Sequence, residues 1–217
     1  MILIPVKNLK TAKQRLAAVL DQAQRTALAQ AMLQDVFEAL SNWADRPPVA
    51  AVTADPFAID LAKHFAFEII PDQVNQSETA AIAMATQVCE SRGIESTLVI
   101  PGDIPLVQSS ELDRILRAAP PVGSVLVPAA DGRGTNAAFR RPSSLFPLRF
   151  GNDSFKPHCA AARATGQPSI VLVLPGTALD IDNPSDLRDL VAAPGETRAQ
   201  RLARQWNLAG YPVAADE

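Results

Sequence analysis

Ile2-Leu3-Ile4-Pro5-Val6 runs directly into Lys7-Asn8-Leu9-Lys10-Thr11-Ala12-Lys13-Gln14-Arg15-Leu16. The first five residues are apolar and rich in branched side chains, which predicts a buried strand. The following ten hold four cations, Lys7, Lys10, Lys13 and Arg15, and no acid. A cationic loop leaving the end of a first buried strand stands where α/β folds bind anions. The same charges also suit a solvated turn. What favours a site is the presence of Asp103, Asp180 and Asp182, which lie just beyond apolar runs much later in the chain.

Working outward, strand-like and helix-like stretches alternate. Residues 22–43 carry Leu28, Met32, Val36, Leu40 and Trp43 at helical spacing, and Pro47-Pro48 closes the stretch. Residues 49–53 read as a strand. Asp55 and Pro56 then supply an N-cap and a first-turn proline for a helix to about Phe65. Residues 67–70 form the next strand, a polar loop spans 72–76, and an alanine-rich helix runs from Ser77-Glu78-Thr79 to about Ser91. Residues 97–100 predict a central strand entering Pro101-Gly102-Asp103, followed by a helix capped by Ser109 or Ser110. Then come a strand over 124–128, a glycine turn over 131–135 and an apolar return over 136–139. A helix introduced by Ser154 runs to about Ala164, a last strand covers 170–174, and a helix covers 185–192. Such alternation predicts an α/β fold of three layers, Rossmann-like, with a mostly parallel sheet and a small antiparallel insertion. We divide the chain into a domain over residues 1–193 and a C-terminal helix and tail over 194–217. The helix, from about Glu196 to Leu208, has a stripe of Leu202, Ala203 and Trp206 that its own core or the second subunit of a homodimer could cover.

Bulk composition narrows the function classes. With 217 residues and 47% hydrophobic content, the chain can bury a full core. A net charge of -3 argues against a nucleic-acid partner. No apolar run reaches the ~20 residues of a membrane span, and the short N-terminal run lacks the cationic lead of a signal peptide. Cys89 and Cys159 are too far apart for a metal knuckle and read as reduced, buried thiols. A cytoplasmic location is expected. Patterns for a nucleophile elbow, a P-loop and a dinucleotide fingerprint are missing, which removes the main support for esterase, P-loop and dehydrogenase readings.

Chemistry concentrates in a few places. Gly102 lets the backbone turn so that Asp103 projects at the strand end, and an extended Asp180-Ile181-Asp182 would aim both carboxylates to one side with Ile181 in the core. Carboxylates of this kind are hard oxygen ligands suited to magnesium on substrate phosphates, although each is also a favoured turn or cap residue. Asp131-Gly132-Arg133-Gly134-Thr135-Asn136 offers close backbone approach and hydrogen bonds, or a plain hairpin turn. Gly151 to Phe155 presents a helix N-terminus that accepts a carboxylate or phosphate readily. His158, one turn on, faces that ligand or the surface; His64 reads as structural.

Taken in order, P-V-K-x-x-K-x-A-K-x-R-L, P-G-D-I-P, D-G-x-G-T-N, F-G-x-x-S-F-x-x-H and D-I-D-x-P-x-D-L resemble the 2-phospho-L-lactate guanylyltransferase family of coenzyme F-420 biosynthesis. The match spans Ile4 to about Leu187. That family is similar to the molybdenum-cofactor nucleotidyltransferases, with a fold of the glycosyltransferase-A type. The resemblance implies GTP as donor and a three-carbon phosphorylated acid as acceptor: 2-phospho-L-lactate, phosphoenolpyruvate or 3-phospho-D-glycerate. It implies Mg2+ on Asp103, Asp180 and Asp182, and Lys7, Lys13, Arg15 and Ser77 along the nucleotide. Asp103, Lys13 and Arg15 would act in catalysis, while Thr135, Gly151 and Ser154 would grip the acceptor. The guanine pocket has no assigned residues. Ser77-Glu78-Thr79 departs from the Gly-Leu-Asn often found in that family. Alternatives on the same fold are a nucleotidyltransferase for a sugar phosphate or pterin, a glycosyltransferase, and a non-catalytic nucleotide-binding module.

Overall fold

The computed structural model describes residues 1–73, 76–151 and 153–206. Part of the expected 72–76 loop, Asn152, the end of the last helix and the polar tail lie outside them. Seven strands form one sheet in the order β3-β2-β1-β4-β6-β5-β7. They are β1 (Ile2–Val6), β2 (Val49–Thr53), β3 (Glu68–Pro71), β4 (Thr97–Val99), β5 (Gly123–Pro128), β6 (Thr135–Arg141) and β7 (Ser169–Val171). Every pairing is parallel except those of β6, which runs antiparallel to β4 on one side and β5 on the other. The expected antiparallel insertion is therefore present. It is a seven-residue strand inside the sheet, and its reversal brings its first residues to the edge where β1 and β4 end.

Strand periodicity builds a core on each face. Ile2, Ile4 and Val6 join one cluster with α1 (Gln22–Ser41), α2 (Pro56–His64), α4 (Ser109–Ala118), α7 (Pro184–Ala192) and α8 (Arg198–Arg204). Leu3, Val52 and Val99 join the other with α3 (Glu78–Ser91) and α5 (Phe155–Ala164). Each fully buried aliphatic side chain contributes roughly 1.5–3 kcal/mol. A one-residue slip in β1 would interchange the two sets, so the pattern fixes register. A short α6 (Pro175–Ala178), not expected from sequence, follows β7; buried Glu111 accepts hydrogen bonds from its Gly176 and Thr177 amides at 2.9 and 2.8 Å.

Local signals held where no distant partner competed. Asp55 caps α2 and Ser77 caps α3 through side-chain bonds to Ala58 N and Ala80 N. Asn183, not Asp182, caps α7 in a capping box with Asp186. Ser109 opens α4 without capping it, because its hydroxyl donates to Ala39 O at 2.7 Å. Ser154 likewise makes no cap bond. Trp43 lies beyond the end of α1 yet is buried. The last helix packs on its own chain: Ala199 and Ala203 are fully buried, and Asp35 on α1 accepts from the Arg198 and Ala199 amides.

Asp55 also positions the cationic loop. One carboxylate oxygen caps α2 at 3.1 Å, and the other accepts from Leu9 N at 3.0 Å. Asp55→Ala should cost about 1–2 kcal/mol, the usual cost of losing a cap, and Asp55→Asn, which keeps an acceptor for the cap, clearly less. Urea unfolding of the two variants checks this; equal losses would mean that the cap is not what Asp55 supplies.

Candidate functional site

The loop after β1 forms two short 3-10 turns, Leu9–Thr11 and Gln14–Leu16, joined through Lys13 in the left-handed region at φ 57°. Asn8 accepts from Lys10 N to start the first turn, and buried Leu9 and Leu16 pin the loop to the core. This brings the Lys13 ammonium down between two aspartates, 2.5 Å from Asp103 Oδ2 and 2.8 Å from Asp182 Oδ1. Arg15 is exposed and stands 3.6 Å from Asp182. Ile181 is fully buried, and its amide donates to Asp103 O, which ties the 180–182 segment to the end of β4.

Asp180 points elsewhere. Its Oδ1 accepts from Asn136 Nδ2 at 3.0 Å, and the same amide group donates to the Thr177 and Ala178 carbonyls. All three aspartates line one cavity, yet among the described residues no three His, Cys, Asp or Glu side chains converge as a ready-made metal site. The donor set still suits magnesium, which usually takes one or two carboxylates and completes its shell with water and substrate phosphate. Asp103 and Asp182 already share a single cationic group, Lys13.

Two cavities meet at these residues. One, of 390 Å³, lies beneath the loop and is walled by Leu9, Ala12, Met32, Leu33 and Gly102. The other, of 500 Å³, is polar and is lined by Thr135, Asn136, Gly151 and Ser154 among others. Arg15, Glu78, Pro101, Asp103 and Asp182 line both. The sequence-predicted acceptor residues thus stand together beside the Lys13–aspartate group. Gly151 has φ 131°, which only glycine adopts without strain.

Lys7 and Ser77 do not join them. Lys7 pairs with buried Asp72 at 2.5 Å and lines a separate 220 Å³ hollow. Ser77 is exposed, its oxygen committed to the α3 cap. The residue of that turn that reaches the cleft is Glu78, and Thr79 binds Phe150 N and O through its hydroxyl at 2.9 and 3.3 Å. The Ser77-Glu78-Thr79 triplet therefore supplies an acid to the cleft and a fastening to the Phe150–Gly151 loop.

The direction of β6 creates the polar lobe, and a bulge aims its side chains. Pro128 pairs with Thr135 but Val127 with Ala137, leaving Asn136 as the extra residue. Asn136 consequently turns with Ala137 toward the α6 side, and Thr135 turns toward α5, a common use of bulges beside sites. Nothing in the sequence flagged this irregularity beyond the neighbouring glycines.

Comparison with known proteins is decisive at this point. A family model described as guanylyl transferase CofC-like matches residues 1–213. The chain belongs to that family. Phosphoenolpyruvate guanylyltransferase of Roseiflexus castenholzii is 39% identical over 204 residues, covering 94% of this chain and 93% of the relative. The 2-phospho-L-lactate guanylyltransferase of Methanothermobacter thermautotrophicus is 30% identical, covering 97% and 92%. Among solved structures, a protein from Desulfovibrio desulfuricans assigned to the nucleotide-diphospho-sugar transferases superposes with a TM-score of 0.76 at 19% identity, covering 94% of this chain and 93% of the other. The 4-diphosphocytidyl-2C-methyl-D-erythritol synthase of Anaerococcus prevotii does so at 0.59 and 7%, covering 94% and 95%. At such identities the structures establish the fold, that of the nucleotidyltransferases.

In this guanylyl transferase the site is electrostatically divided. Burial alone would lower the Lys13 pKa, but Asp103 and Asp182 outweigh burial and raise it. Lys13 in turn holds Asp182 low against burial. Burial and then the charge of Asp103 push Glu78 up to about 7 and Asp180 up to about 6. The site thus gathers more negative charge than Lys13 alone balances.

His158, expected on the surface or at the ligand, is 1% exposed. Burial, with the positive charge of Arg140 behind it, lowers its pKa to about 4. An unfolded histidine titrates near ~6.5, so between those values the unfolded chain binds the extra proton and stability rises with pH. His158 therefore contributes stability that is complete above pH ~6.5 and lost as pH falls toward 4. Unfolding free energies measured across that range should fall more steeply for the wild type than for His158→Asn. Parallel curves would mean that His158 is protonated in the folded state.

Proposed function

We propose that this protein transfers GMP from GTP to the phosphate of a three-carbon phosphorylated acid, phosphoenolpyruvate or 2-phospho-L-lactate in the first instance, with release of pyrophosphate. The step belongs to coenzyme F-420 biosynthesis on this reading. The observation that carries it is the Lys13 ammonium held by Asp103 and Asp182 beside the Thr135–Gly151–Ser154 lobe. Carboxylates sharing a cation, next to a compact polar lobe, suit a polyphosphate donor and a small anionic acceptor.

The acceptor needs little activation. A phosphomonoester has its second pKa near ~6, so at neutral pH it is mostly a dianionic nucleophile. One of its oxygens forms the new bond to the α-phosphorus of GTP as the bond to the β-phosphate oxygen breaks, and the pair of electrons leaves with pyrophosphate. The difficulty is to bring two polyanions together. Asp103 and Asp182 would hold Mg2+, with Asp180 near enough to take water or a second cation. Bound there, Mg2+ would neutralise phosphate charge and align the attack. Lys13 and the exposed Arg15 supply positive charge toward the departing pyrophosphate. Thr135, Ser154 and the Gly151 backbone orient the acid, whose carboxylate and phosphate need fixed positions more than a base.

Pyrophosphate release should be measured with GTP, Mg2+ and each of phosphoenolpyruvate, 2-phospho-L-lactate and 3-phospho-D-glycerate, followed by exchange of the nucleotide against the best acid. Release with GTP and one acid, dropping at least 100-fold in Asp103→Asn while that variant still unfolds cooperatively, is the expected result. Silence with all three acids alongside measurable GTP binding would transfer the assignment to a sugar-phosphate or pterin acceptor, or to a binding module.

A further inference from the structure

The polar lobe contains a chain of hydrogen bonds whose direction can be worked out from its far end. His158 Nε2 lies 2.8 Å from the backbone N of Arg149. An amide nitrogen only donates, so Nε2 must be the unprotonated, accepting nitrogen. The neutral ring then carries its proton on Nδ1, which is 2.9 Å from Thr135 Oγ1. Nδ1 donates, and the threonine oxygen accepts. Ser154 Oγ donates to the same oxygen at 3.3 Å. A hydroxyl oxygen has two lone pairs and one hydrogen. With both lone pairs of Thr135 engaged, its hydrogen has the cleft left to turn toward, and Thr135 lines the cleft.

We propose that His158 is a positioning residue that fixes the Thr135 hydroxyl as a donor into the polar lobe, so that the lobe selects an acceptor presenting an ionised carboxylate there. This rests on the acceptor reading given above and adds how the site is held ready. The neighbourhood is arranged for it. His158 is fully enclosed, and the Phe150 ring packs edge-on against it at 5.4 Å and 70°. Phe150 is in turn fastened by both backbone groups to Thr79 on α3. The nearby positive charge of Arg140, together with burial, keeps the ring neutral through the working range, and an imidazolium would place a second donor against the Arg149 amide. The Arg149 N–H, the ring and Thr135 thus form a one-way relay. An analogue that turns an amide nitrogen to Thr135 would meet a donor with a donor.

Two measurements test the relay independently of each other. The first is the imidazole tautomer of the folded protein by long-range proton–nitrogen NMR. The chain has two histidines, and His64→Gln leaves one ring to read. Proton on Nδ1 with bare Nε2 is expected; the opposite tautomer, or a charged ring at pH 7, would overturn the proposal. The second is kinetic, with GTP and the acid that gives turnover. His158→Phe and Thr135→Val should each raise the acceptor KM about 10-fold or more, with the GTP KM unchanged. The double variant should be no worse than Thr135→Val, and His158→Asn, whose amide can donate from the Nδ1 position, should recover most of the loss. Additive losses, or an equal rise in the GTP KM, would sink the idea. If His158→Phe does not fold, the tautomer and the Asn variant still decide. Absence of turnover with every acid would overturn the guanylyl-acceptor reading, while the tautomer would separately report whether the relay exists.

Discussion

The cleft depends on one partly buried ion group contributed from three distant parts of the chain. Lys13 comes from the loop after β1, Asp103 from the end of β4, and Asp182 from the segment before α7. A lysine that is nearly buried keeps its charge only with opposite charge at hand, and here two carboxylates outweigh the burial. Removing either aspartate would leave an under-compensated cation, and removing the lysine would leave two facing anions. The loop therefore closes over the sheet edge because of charge as much as packing, with Lys13 in a backbone conformation that a lysine seldom adopts.

Around that centre, each layer supplies a different part of the chemistry. The α1 side walls the cavity beneath the loop, and the α3 and α5 side builds the polar lobe. The parallel strands end together at this edge, and reversed β6 begins there, so residues far apart in sequence reach one cleft with little loop between. Thr79 links the start of α3 to the loop that carries Gly151. Glu78, raised to about 7, gives the cleft an acid whose charge depends on what else is bound near Asp103.

Much of this was legible from sequence where the signal was local. The β1 run, the Asp55-Pro56 start of α2 and the Ser77 start of α3 depend on neighbouring backbone groups, and the structure repeats them. Asp103, Asp180, Asp182, Thr135, Gly151 and Ser154 were legible as ends of strands and turns, and the structure brings them to one cavity. What was missed has a tertiary cause. Ser109 and Ser154 are good cap residues whose hydroxyls found partners 70 and 19 residues away. His158 was ambiguous because its hydrogen-bond partners, Arg149 and Thr135, lie 9 and 23 residues away, beyond any local pattern. The resemblance implied Ser77 along the nucleotide; in the structure its oxygen caps α3 and Glu78 lines the cleft, a difference set by helix phase within one turn. Lys7 went to Asp72, a partner that no spacing rule connects to it.

The bulge at Asn136 has a bearing on how this surface can vary over time. Turns between strands normally tolerate gain or loss of a residue, since their length has little effect on what they join. The turn between β5 and β6 is different. Removal of a single residue there could restore an unbroken pleat and exchange the faces on which residues 135 and 136 project. Thr135 would then leave His158, and Asn136 would leave Asp180, without alteration of either side chain. The length of this turn is therefore part of the site, because it sets which way two functional side chains face.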